Sequence, residues 1–101
     1  NHEDRFASYE ARVAALSPQL SSISNIELTD YPDMGPVEGL RIRINAQEVG
    51  KSAADVVQEL RAGNPSIWVR EDKDEDSFII RMLTLKEGGE TIIAERLKEI
   101  L

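Results

Sequence analysis

Apolar residues recur at Phe6, Tyr9, Val13, Leu16 and Leu20, three or four apart, so the chain opens with an amphipathic helix. Pro18 falls inside that stripe. Lacking an N–H and crowding the turn before it, it predicts either a kink near Ser17 or a new turn with Ser17 as N-cap. Ile23, Ile26 and Leu28 suggest a strand, and residues 30–36 read as a turn-rich connection too short to link two domains. Leu40, Ile42 and Ile44 alternate with Arg41 and Arg43, the period of a half-buried strand with one wet face. Residues 52–62 read as a helix with Ala53, Val56, Val57 and Leu60 on one side. Ser52 and Asp55 stand near capping-box spacing, and Gly63 is placed for a left-handed stop. Asn64-Pro65 then turns the chain into a strand over 67–69 that ends at Arg70. A charged turn leads to a second strand over 78–83. From about Glu90 to the end, Ile93, Leu97 and Ile100 or Leu101 mark the buried stripe of a last helix.

The order helix, strand, strand, helix, strand, strand, helix predicts an α+β two-layer sandwich. A small antiparallel or mixed sheet of about four strands would carry helices on one face, with Leu40, Ile42 and Ile44 beneath Val56, Val57 and Leu60. The 101 residues suit a single domain over 1–101, and hydrophobic residues at 41% supply one modest core. Aromatics are few (Phe6, Tyr9, Tyr31, Trp68 and Phe78), so that core should be mainly Ile, Leu and Val.

Charge narrows the functions open to such a domain. A net charge of −7 disfavours nucleic acid as a partner, since an acidic surface repels phosphates. No apolar run approaches a membrane span, and without cysteine there are no disulfides or thiolate metal sites, which fits a cytoplasmic protein. The start at Asn1, without methionine, suggests a piece of a longer protein or a processed chain.

Several motifs invite chemistry and are better explained by structure. Gly50-Lys51-Ser52 evokes a phosphate loop, but that loop needs glycine where Asn45 stands; a turn followed by an N-cap serine accounts for it. Asp72, Asp74 and Asp76 resemble the opening of a calcium loop, yet Ser77 and Leu83 occupy the positions that demand glycine and glutamate. A solvated hairpin turn is favoured there. His2 is the single histidine, at a chain end with no partner, and is expected to be exposed and inert. Trp68 is expected in the core or at a domain interface. Arg41 and Arg43 suit cross-strand pairing on a wet face.

Three segments carry a family resemblance: Ala54-Asp55-Val56-Val57-Gln58-Glu59-Leu60-Arg61, Gly63-Asn64-Pro65-Ser66-Ile67, and Thr84-Leu85-Lys86-Glu87-Gly88. Together they resemble the C-terminal small domain of fold type I pyridoxal-phosphate enzymes. The group is the selenocysteine synthase-like one, the L-seryl-tRNA(Sec) selenium transferases and their relatives. The resemblance implies a domain that caps the active site of a transferase or lyase acting on an amino acid or amino sugar. Its partner would be the large catalytic domain of the same chain, in a homo-oligomeric parent. Pyridoxal phosphate would belong to the parent, because the Schiff-base lysine lies in the large domain. None of Lys51, Lys73, Lys86 and Lys98 has that setting, so this chain alone should bind no cofactor and hold no catalytic residue.

Arg70 matches the family position at which a strand ends in Val-Arg, from which a guanidinium grips a substrate carboxylate. An ion pair with the acidic turn, at Glu71 or Asp72, is the structural alternative. Leu83 stands where relatives often carry an arginine before Thr-Leu, so that arginine's role does not transfer. The competing reading of the whole chain is a stand-alone α+β module for ligand binding or self-association.

Overall fold

The structure, a computed structural model, describes residues 2–32, 34–63, 66–72, 76–82 and 89–101, with side chains from Ser8 onward. Helix α1 (His2–Leu20) turns Val13, Leu16 and Leu20 into the core. It runs through Pro18. The N–H of Ser21 donates to the carbonyl of Ser17 at 3.0 Å, so Ser17 is helix interior and no new helix begins there. Pro18 is tolerable because it sits in the last turn, where it removes a single backbone bond.

Strands β1 (Ile26–Tyr31) and β2 (Gly39–Ile44) pair antiparallel from Ile26 opposite Ile44 to Tyr31 opposite Gly39. Ile23 lies before the strand, in a turn whose N–H donates to Leu20. Asp30 and Tyr31, expected in the connection, are held in the ladder by their β2 partners. A short helix α2 (Ala46–Val49) follows, with Asn45 as N-cap and Gly50 closing it at φ 82°. It buries no side chain, so it leaves no apolar period in the sequence.

Helix α3 (Ala53–Ala62) has the full capping box of Ser52 and Asp55, and it buries Ala53, Val56, Val57 and Leu60. Gly63 is not the left-handed stop its position suggested: its backbone is extended, at φ −78° and ψ 178°. The Arg96 guanidinium occupies the place a side chain there would need. The exposed carbonyls at the helix end are met instead by returning chain. Ile67 donates its N–H to Leu60 at 2.9 Å and Ser66 its hydroxyl to Arg61 at 2.6 Å. The Asn64-Pro65 turn lies outside the described residues.

Strand β3 (Arg70–Asp72) is shorter and later than the expected one over 67–69. Ile67 and Val69 are buried without ladder pairing, so Arg70 opens a strand rather than ending one. Strand β4 (Ser77–Arg81) stops one residue short of Met82, which still donates its N–H to Glu38 at 3.0 Å. Helix α4 (Gly89–Ile100) buries Ile93, Ala94 and Leu97, with Ile100 and Leu101 partly covered.

The four strands lie in the order β1-β2-β4-β3, every neighbouring pair antiparallel. Helices cover one face, as the alternation required. Leu40, Ile42 and Ile44 do share one core with Val56, Val57 and Leu60. The helix directly over β2 is α1, however; α3 lies over β3 and β4, and α4 packs on both helices. Among the described residues no helix is long and apolar enough to cross a membrane.

Candidate functional site

Side chains alternate along each strand, and Phe78 and Ile80 belong to the helix-covered core, so Ser77, Ile79 and Arg81 of β4 face the other way. Register extends this outer face across the sheet. One row carries Glu27, Arg43, Ser77 and Asp72; the next carries Thr29, Arg41, Ile79 and Arg70; a third carries Tyr31, Gly39 and Arg81. In a chain of net charge −7, four arginines therefore share one face.

Most of that positive charge is neutralised locally. Arg41 donates to Asp72 at 2.8 Å and to the hydroxyl of the fully buried Ser77 at 2.9 Å. Arg43 pairs with Glu27 at 3.2 Å, directly across the β1–β2 ladder, and Arg81 with Glu38 at 3.4 Å. Arg70 differs. Its Nη1 donates to the hydroxyl of Tyr31 at 3.3 Å, and among the described residues no carboxylate pairs with it. Asp72 is taken by Arg41, and Glu71 sits opposite Phe78, on the other face, so the expected ion pair with either residue is not formed. Ile79, only 2% exposed although it stands outside the main core, has Arg41 and Arg70 as its cross-strand neighbours. Tyr31 leans over this row, with the Arg41 guanidinium 5.8 Å from its ring centre.

Trp68 is 67% exposed, which overturns the core half of its expected placement and leaves the interface half open, and the Arg61 guanidinium of α3 stacks 4.4 Å from its ring. Elsewhere the motifs resolve into architecture. Lys51 bonds to Glu59 at 2.9 Å and to the Ile100 carbonyl at 3.0 Å, fastening the end of α4. Asp76 accepts from the N–H of Ala53 at 3.0 Å, at the start of α3. Asp74 lies outside the described residues, and among the described residues no three His, Cys, Asp or Glu could hold a metal. A groove between α1 and α4, lined by Ser8, Ala11, Ala15 and Thr91, is crossed by an Arg12–Glu90 ion pair. Tyr31 and Asp76 were missed as structural participants because both read as loop composition; the alternation of Glu27, Thr29 and Tyr31 was the available signal for Tyr31.

No family model matches the chain. One curated protein does: the D-glucosaminate-6-phosphate ammonia lyase of Salmonella typhimurium (strain 14028s / SGSC 2262), 37% identical over 94 residues. The chain resembles one part of an ammonia lyase. The match takes in 86% of this chain and 25% of the relative, so the chain spans about a quarter of that protein's length. A solved D-glucosaminate-6-phosphate ammonia-lyase superposes with a TM-score of 0.78 at 29% identity, covering 89% of this chain and 25% of its own. Likeness in sequence and in fold thus falls on the same kind of protein. The Thr84-Leu85-Lys86-Glu87-Gly88 segment of the sequence resemblance lies outside the described residues.

Proposed function

We propose that this chain is the small domain of a pyridoxal-phosphate-dependent lyase that removes ammonia from an amino sugar acid or a related amino acid. The carrying observation is the likeness, in sequence and fold together, to a quarter of an ammonia lyase. In this reading the domain caps the active site of a larger catalytic domain. The outer sheet face is its working side, and Arg70 grips an anionic group of the substrate. That no carboxylate among the described residues holds Arg70 supports that role, since a guanidinium already held by one would have to give it up first. Kinship with the selenium transferases and membership of fold type I rest on the sequence resemblance.

Pyridoxal phosphate, when bound, supplies the electron sink for elimination at the amino-bearing carbon. The described residues do not fit it: Lys51 is engaged by Glu59 and the Ile100 carbonyl, and Lys98 is exposed on α4. Lys73 and Lys86 lie outside the described residues, and this reading assigns the cofactor to another part of the enzyme. In the longer enzyme, Arg70→Ala and Arg70→Lys should both raise KM while cofactor absorbance stays normal. Losing one charge-assisted contact weakens binding by about 1.5–3 kcal/mol, and lysine cannot reproduce the fork. Wild-type kinetics in both variants would remove Arg70 from the site and leave the domain a scaffold.

A further inference from the structure

Tyr31 and Arg70 belong to the two outermost strands, β1 and β3, and meet over the middle of the sheet. Both side chains must lie flat along the outer face to do so. The residue opposite Tyr31 is Gly39, which has no side chain to obstruct the ring. Arginine only donates, so the Tyr31 oxygen is the acceptor and its own proton remains to be given elsewhere. Among the described residues no acceptor takes that proton. Arg41 is balanced by Asp72, so among the described residues the cluster retains the charge of Arg70 as its excess.

We infer that the Tyr31 hydroxyl and the Arg70 guanidinium together form a subsite for a phosphate monoester. The phenol donates to one oxygen and the guanidinium fork to the others. This rests on the lyase reading above and deepens it, by naming a phosphate as the anion Arg70 holds. A planar carboxylate offers two oxygens, both used by the fork, whereas phosphate presents a third and carries about −1.5 to −2 charge near neutral pH. The competing explanation is that the pair merely roofs Ile79, which needs the ring and the aliphatic stem but not the hydroxyl.

The test is a titration of the protein with inorganic phosphate, following the Arg70 Nε–H resonance, with acetate at matched ionic strength as the carboxylate arm. Phosphate should shift the resonance saturably and acetate should bind more weakly. Tyr31→Phe should lower phosphate affinity about threefold to tenfold while the unfolding midpoint stays near that of the wild type. Arg70→Gln should abolish saturable binding. Wild-type affinity in Tyr31→Phe, equal binding of acetate, or no saturation in the wild type would each overturn the inference. No cofactor or catalytic domain enters the titration, so such a failure leaves the lyase reading standing. Loss of that reading through absent ammonia release would likewise leave the phosphate result intact.

Discussion

Asp76 holds together two parts of the fold that the sequence keeps far apart. Its carbonyl accepts from Ile44 at 3.2 Å, and its carboxylate accepts from the N–H of Ala53 at 3.0 Å. A negative charge at the start of α3 satisfies a free helix donor and favours the helix dipole. Asp76→Ala should therefore cost about 1–2 kcal/mol in urea unfolding, while Asp76→Asn keeps an acceptor and costs less. Equal stability of Asp76→Ala and wild type would reduce the contact to an incidental one. The sequence shows only one acid among many in this turn, so nothing marks Asp76 before the chain is folded. Arg70 was legible as a residue type in a suggestive place. What was not legible was its partner, because Tyr31 lies 39 positions away and reaches it only across the assembled sheet.

At the scale of elements, legibility followed burial. Helices α1, α3 and α4 and strands β2 and β4 each place a periodic apolar set in the core, and each was readable. Helix α2 buries nothing and β3 has three residues, so neither left a period to read. Ile67 and Val69 gave the opposite error. They are apolar because they are buried, without being laddered, and alternation alone cannot separate those cases. Gly63 misled for a related reason: a glycine after a helix suggests a left-handed stop, yet its backbone here is extended, a conformation any residue adopts. The placement of α1 over β2 makes that helix integral to the core. Leu16→Ala should cost about 2–5 kcal/mol, and Ile42→Asp about 4 kcal/mol or more, by burying an unpaired charge. Chemical denaturation checks both; a soluble Ile42→Asp variant of wild-type stability would contradict the assigned faces.

For the whole molecule, the sheet is covered by helices on one side, while the other side carries arginines and Tyr31; the exposed tryptophan, Trp68, stacks on Arg61 of α3. Tyrosine, tryptophan and arginine are the residues that dominate binding at interfaces. If Trp68 meets a catalytic domain, it should emit as a solvated indole in this chain and shift to shorter wavelength in a longer enzyme whose other tryptophans are replaced for the purpose. An unshifted spectrum would place the interface elsewhere. The two-layer α+β architecture could be argued from alternation, which leaves the sheet antiparallel or mixed until the ladder decides it, whereas the reaction could not, because a fold does not fix a chemistry. Ammonia release by the longer enzyme from a phosphorylated amino sugar acid, measured before and after pyridoxal phosphate is stripped and restored, tests the central claim most directly. The account predicts release that vanishes with the cofactor and returns with it. Release that persists without the cofactor, or no release from any amino sugar acid or amino acid offered, would contradict it.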